Sequence, residues 1–212
     1  MKKNYWNSYY KKKFIFKKSN FANFINRKYL KKNMSLLEIG CGSGRDSFFF
    51  SKNISKVIAI DSSKEAIKNN IKIMKKNDTK NIEFKNLDIN SNKMKKLQKV
   101  DFIYARFFIH AINYNLEKKF LEILKKLSHS RTKTAIEFRT TKDPLFNKGK
   151  KLSKYERYTD HYRRFIDVQI FTLRLKKNFF KILYKQQKVG FSKYKNDNPN
   201  LCRLVIKYEK KQ

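Results

Sequence analysis

The chain has 212 residues with 40% hydrophobic content, which suits one domain with a full hydrophobic core. No apolar run reaches a membrane span, no charged-then-apolar leader precedes a cleavage site, and Cys41 and Cys202 belong to no CxxC or Cys/His cluster. A soluble cytoplasmic protein without disulfides or a metal site is expected, carrying 53 basic and 17 acidic residues for a formal net charge of +36.

Residues 1–33 mix basic and aromatic side chains: Tyr5, Trp6, Tyr9 and Tyr10, then Phe14, Phe16, Phe21 and Phe24. One or two short helices are expected there, the second capped by Ser19 or Asn20, as a helical cap on a domain spanning 34–212. Ser35 to Ile39 reads as a buried strand ending at Gly40, followed by a helix over 45–52. Val57 to Asp61 is a second strand. Residues 63–76 form a helix with an apolar stripe of Ala66, Ile67, Ile71 and Met74. Strands are expected over 82–87, 100–104 and 133–138, with a helix marked by Leu116, Phe120, Ile123, Leu124 and Leu127 before the last. Residues 140–166 show no clear period and read as a lid or acceptor insertion. A helix near 167–177 precedes strands at about 179–188 and 202–209, whose turn-rich spacer Asn196 to Asn200 makes them antiparallel neighbours. The alternation predicts an α/β, Rossmann-like seven-stranded mixed sheet, five parallel strands plus a C-terminal antiparallel hairpin, flanked by helices.

The strongest local signal is Glu38-Ile39-Gly40-Cys41-Gly42-Ser43-Gly44. Three of the five glycines in the chain fall there, after a strand and before a helix. Glycines at that place allow a tight turn and close backbone approach to a ligand. The spacing is G-x-G-x-G and not the dinucleotide G-x-G-x-x-G. Asp61 ends the next strand, where a carboxylate can accept from two ribose hydroxyls. Asp88 follows the third strand, facing an adenine amino group or serving only as a helix cap.

These residues resemble the class I S-adenosylmethionine (SAM) dependent methyltransferases over roughly residues 35–209. The resemblance implies that Glu38, Gly40, Cys41, Gly42 and Gly44 line the methionine part of SAM. Asp61 with Ser62 would hold the ribose, Leu87 and Asp88 the adenine, and Ala105 with Arg106 would lie beside the methyl. Tyr10, with Trp6 and Tyr9, either closes over SAM or packs against the sheet.

Acceptor groups should lie past the carboxyl ends of the strands. The candidates are Arg106 and His110 after the fourth strand, Arg139 and Lys142 after the fifth, and His161, Tyr162, Arg163 and Arg164 in the insertion. Four of the ten arginines fall here, and their planar forks match phosphate or carboxylate oxygens, or form ion pairs with Glu137, Asp143 or Asp160. His161 and His110 are candidate general bases. An ionised acceptor oxygen needs alignment more than a base.

A narrower resemblance comes from Tyr104 to Ile112, from Arg139 to Asp143 with Gly149, from Asp160 to Ile166, and from Tyr194-Lys195 to Pro199 with Cys202-Arg203. These stretches look like a bacterial methyltransferase subgroup that occurs with capsule and surface-polysaccharide enzymes. They imply a small anionic acceptor, nucleotide-linked forms included, O-methyl phosphoramidate chemistry and contact with other polysaccharide-biosynthesis enzymes. Lys177-Asn178-Phe179 and Thr159 depart from the subgroup pattern.

Two other readings compete. The charge alone suggests a nucleic-acid methyltransferase. The 43 lysines are scattered over every helix, however, in an Asn-, Ile- and Phe-rich composition typical of AT-rich coding sequence. The segment Ala105-Arg106-Phe107-Phe108 also lacks the Asn/Asp-Pro-Pro-aromatic loop of amino-methylating base enzymes. The other alternative is a non-catalytic SAM-binding subunit, against which the Arg/His set argues.

Overall fold

The computed structural model describes residues 3–12, 15, 17–194 and 196–209, without the side chains of Lys3 and Asn4; Phe14, Phe16 and Lys195 lie outside the described residues. Two helices come first, α1 (Lys3–Lys12) and α2 (Asn20–Tyr29). Ser19, in extended conformation, caps α2 by accepting from the Ala22 N–H at 3.0 Å, which satisfies one orphan donor of the first turn. Phe21, Ala22 and Ile25 are fully buried beneath it.

The chain then alternates: β1 (Ser35–Ile39), α3 (Arg45–Ser51), β2 (Lys56–Asp61), α4 (Lys64–Lys76), β3 (Ile82–Asn86), β4 (Phe102–Arg106), α5 (Tyr114–Leu127) and β5 (Lys133–Arg139). An insertion carries β6 (Lys150–Lys151), β7 (Glu156–Tyr158) and β8 (Tyr162–Arg164). The chain closes with α6 (Val168–Lys177), β9 (Phe180–Lys188) and β10 (Leu201–Tyr208). The main sheet has the order β3-β2-β1-β4-β5-β10-β9. Strands β1 to β5 pair in parallel, and β10 runs antiparallel to both β5 and β9. This is the expected seven-stranded mixed sheet.

Both faces of the sheet are covered, so the central strands are apolar throughout. Leu37, Ile39, Ile58 and Ile60 pack with Phe120, Leu124 and Phe171. Their neighbours Leu36, Val57 and Ala59 point the other way, against Phe21, Ile25 and Phe50.

Two expectations need correction. The fourth strand lies two residues later than Val100–Tyr104, because Leu36 pairs with Phe102 and Arg106 with Glu137. Ala105 and Arg106 are thus the last residues of the strand and do not follow it. Residues 140–166 are also not irregular. After a 3-10 turn over Pro144–Asn147, they form a three-stranded antiparallel sheet, β6-β7-β8. Strands of two or three residues are too short to show a period. A bridge between Thr140 and Ile166 closes the insertion where it began. No helix among the described residues is long and apolar enough to cross a membrane.

Candidate active site

The turn after β1 is tied to β2 at both ends of its first peptide. Gly40 and Cys41 both donate to the Ile60 carbonyl, at 2.9 and 3.0 Å. Gly42 has φ +52°, and a Cβ there would run into the Tyr10 hydroxyl. Its N–H donates to Asp61 Oδ2 at 2.8 Å, and its carbonyl accepts from Asn70 Nδ2 at 2.8 Å. Asp61 Oδ1 accepts from the Ser63 N–H at 2.8 Å. Burial raises the Asp61 carboxyl above its ordinary pKa, while the N–H groups of Ser63, Gly42 and Ser62 pull against that shift. The glycine turn and Asp61 are therefore brought together as one unit.

The other cofactor candidates are placed as follows. Glu38 is buried and accepts from the Ser47 hydroxyl of α3. Burial, then Asp46, raises its pKa well above the ordinary carboxylate range. Cys41 is buried beside the Asn70 amide. Leu87 is buried, and its N–H donates to the Asp61 carbonyl at 3.0 Å. Asp88 Oδ1 accepts from the Asn90 N–H at 2.9 Å within its own turn. Ala105 points into the core, while Phe108 covers Gly40.

Helix α1 packs on α4 and reaches the turn. Tyr10 lies against Gly42, its carbonyl accepts from Asn69 Nδ2 at 3.2 Å, and Asn7 Oδ1 accepts from the Ser63 hydroxyl at 2.8 Å. Tyr10 is thus on the glycine turn itself.

On the acceptor side, each of the four arginines has a carboxylate partner. Arg106 Nε donates to Glu137 at 2.8 Å, and its Nη2 to Ser192 Oγ at 2.8 Å. Arg139 donates to Asp143 at 3.0 Å and to Asp197. Arg163 donates to Asp160 at 2.7 Å. Arg164 pairs with Glu117 and donates to the Ile109 and Ile112 carbonyls at 3.2 and 3.0 Å. The ion-pair alternative therefore describes all four. Arg164 ties the insertion to α5, and Arg139 ties β5 to the loop before β10. A buried guanidinium filled in this way is not a free anion clamp. Tyr162 donates to Glu156 at 2.5 Å across the small sheet, and Lys142 is exposed.

The two histidines are brought together. His110 is buried, and its Nδ1 accepts from the Arg139 N–H at 3.3 Å, so the ring proton belongs on Nε2. Burial, then Arg139, Arg163, His161 and Arg106, lowers its pKa well below 6.5. His161 Nδ1 lies 2.9 Å from Asp160 Oδ2 without the alignment of a hydrogen bond. Burial, then Arg163, outweighs Asp160 and lowers the pKa of His161 as well. Both rings are neutral near pH 7.

Sequence reasoning missed Asn70, which is fully buried and holds the Gly42 carbonyl. Its signal was available: position 70 lies four after Ala66 and three after Ile67, a polar residue on an apolar stripe. Ser63, Asn7 and the rings of Tyr5 and Trp6 around His161 had no comparable signal.

The comparisons agree with this geometry. A family model described as a methyltransferase domain matches residues 30–190. No curated protein matches the chain. Among solved structures, a SAM-dependent methyltransferase from Anabaena variabilis ATCC 29413 is similar with a TM-score of 0.74 and 20% identity, covering 98% of this chain and 93% of that one. One from Methanosarcina mazei has a TM-score of 0.73 and 16% identity over 87% and 96% of the two chains. One from Aquifex aeolicus has a TM-score of 0.64 and 21% identity over 88% of each. With the family model covering most of its length, and with the glycine turn and paired carboxylate in place, the chain belongs to the methyltransferase-domain family and is a methyltransferase.

Proposed function

We propose that the chain transfers a methyl group from SAM to an oxygen of a small anionic acceptor, of phosphate, phosphoramidate or sugar-phosphate type, in surface-polysaccharide biosynthesis. Its cofactor is SAM, and the residues present fit it. The glycines of the turn let the side chains of Phe108, Tyr10 and Asn70 stand against its backbone, and among the described residues Asn70 Oδ1, beside Gly44, is a buried acceptor without a partner. Gly40, Gly42, Gly44 and Asp61 would hold the cofactor, with Ser62, Leu87 and Asp88 at its nucleoside end and Tyr10 closing over it. When bound, SAM supplies a methyl group already activated by a sulfonium.

The observation that carries the oxygen acceptor is His161. A neutral imidazole with the Asp160 carboxylate close by, 2.9 Å from Nδ1 though not aligned for a hydrogen bond, can take a proton from a hydroxyl at its other nitrogen. His110, its neutral neighbour, offers an Nε2–H to an acceptor oxygen. The anionic character of the acceptor rests on exposed Lys142 and on the overall charge, because Arg106, Arg139, Arg163 and Arg164 all have carboxylate partners. The N-terminal segment 1–33 serves as the cap, and 140–166 as the acceptor lid. Both cysteines are free and buried, which suits a reducing cytoplasm.

A nucleic-acid acceptor is the second reading. Lys64, Lys68, Lys72 and Lys75 form a row along α4, lining a groove of about 490 Å³ with Ile67, Ile71 and Asn86. None of the four has an ion-pair partner among the described residues. The deciding experiment offers labelled SAM with sugar phosphates, cytidine-linked phosphoramidates, tRNA and duplex DNA side by side. O-methyl product on the small acceptors, lost in His161→Gln, supports the first reading. Methylation of nucleic acid alone, with binding that falls steeply with salt, overturns it.

A further inference from the structure

Helix α1 touches both halves of the site. Four of its aromatic residues, at positions 5, 6, 9 and 10, fall on one side of the helix by their spacing. Toward the insertion, Tyr5 stacks on His161 with ring centroids 4.7 Å apart and planes at 28°. Trp6 meets the same imidazole edge-on at 5.2 Å. The Tyr5 hydroxyl donates to Asp160 Oδ2 at 3.4 Å. Toward the glycine turn, Asn7 meets Ser63, Tyr10 lies over Gly42, and Trp6 stacks on Tyr10 at 6.0 Å.

We propose that Tyr5 and Trp6 are positioning residues for His161, and that α1 sets this imidazole only while the helix is seated on the cofactor turn. This rests on the reading of His161 as the acceptor-side base. The physical reason lies in the length of the helix. Ten residues are too few to hold a helix in water without tertiary contacts. The contacts at Gly42 and Ser63 therefore help keep Tyr5 and Trp6 on His161, and a ligand that alters one end is felt at the other. The groups around His161 are Asp160 and Arg163 from the insertion, Arg139 from β5, His110 from the turn after β4, and Tyr5 and Trp6 from α1.

The test needs no acceptor. Trp6 is the sole tryptophan, so its emission reports on α1 alone. The imidazole midpoint of His161 is read by NMR, assigned by the resonance missing from His161→Gln. In the wild type, S-adenosylhomocysteine should shift both Trp6 emission and the His161 resonance. Tyr5→Leu should bring the midpoint up toward the ordinary histidine value while changing S-adenosylhomocysteine affinity by no more than about threefold. Tyr5→Phe, which keeps the ring, should stay near the wild type. If Tyr5→Leu does not fold, Trp6→Leu removes the other ring and should raise the midpoint in the same way. An unmoved midpoint in folded variants, or S-adenosylhomocysteine binding that leaves emission and resonance unchanged, overturns the proposal. Full methyl transfer by His161→Gln would instead sink the base assignment while leaving the positioning measurement intact.

Discussion

Arg106 and Glu137 sit opposite each other on the parallel strands β4 and β5, and Nε donates to Oε1 at 2.8 Å. From the other side, Arg203 of β10 donates to Oε2 at 2.6 Å, also in direct register. Glu137 is fully buried, so one carboxylate holds two guanidiniums across three adjacent strands. Burial works against the charge on Arg106, and Glu137, with Tyr104 and Asp46, together more than offset it. Glu137→Gln should therefore destabilise the fold by about 3–5 kcal/mol, the cost of leaving a buried charge without its partner. Urea unfolding measures this. A midpoint equal to that of the wild type would mean that Arg106 is held by something else.

Gly42 should be the least replaceable residue of the turn. Its φ of +52° places an L side chain in the left-handed region at a cost of roughly 1–2 kcal/mol, and the added Cβ would meet Tyr10 Cζ at 2.9 Å. Gly42→Ala is expected to weaken S-adenosylhomocysteine binding by at least about tenfold, or about 1.4 kcal/mol. Gly190 is the control, with φ +84° but nothing within 4 Å of its Cβ, so Gly190→Ala should leave affinity unchanged. Calorimetry on both variants decides, and equal affinities would remove the turn from the cofactor site.

The histidines predict an acid-sensitive fold. Burial, then the cations around it, holds the His110 pKa well below 6.5, and that of His161 is shifted the same way. Near pH 6 the unfolded chain takes up these protons and the folded chain does not. Their contribution is therefore complete above about pH 6.5 and is lost as pH falls from there toward the depressed folded values. The urea midpoint should drop between about pH 7 and 5.5, and His110→Gln should flatten that slope. A slope as steep in the variant as in the wild type would show that folding leaves the pKa of His110 unchanged.

How legible the molecule is depends on how local each signal is. Glycines 40, 42 and 44 and Asp61 could be read because a turn that receives a ligand needs residue types that a buried strand or helix does not. The long strands could be read from their apolar runs. Strands β6, β7 and β8 could not, because their pairing is a tertiary fact carried by three residues or fewer. The arginines occupy an intermediate position. Their non-random placement was visible, and Glu137, Asp143 and Asp160 could be named as partners, but Glu117 and Asp197 are distant in sequence from Arg164 and Arg139 and unmarked by any motif. An arginine aimed at a carboxylate reads the same as one aimed at a phosphate.

The clearest example of a site closed to sequence reading is Asp46, a helix residue two positions past Gly44 whose partners the glycine motif does not indicate. It is buried, and its Oδ1 accepts from the Ser19 N–H at 2.7 Å. Its Oδ2 accepts from the Ser19 hydroxyl at 2.7 Å and the Tyr104 hydroxyl at 2.9 Å. Ser19 thus caps α2 while fastening it to α3, and Tyr104 reaches both from the middle of the sheet. Tyr104→Phe removes a donor from a buried carboxylate and should cost about 1.5–3 kcal/mol. Ser19→Ala also removes the cap, which alone is worth about 1 kcal/mol. Because both hydroxyls serve the same oxygen, the double variant should depart from the sum of the singles by at least about 0.5 kcal/mol in urea unfolding. Strict additivity would mean that Asp46 is satisfied elsewhere, and that α2 is held to the sheet by the packing of Phe21 and Ile25 alone.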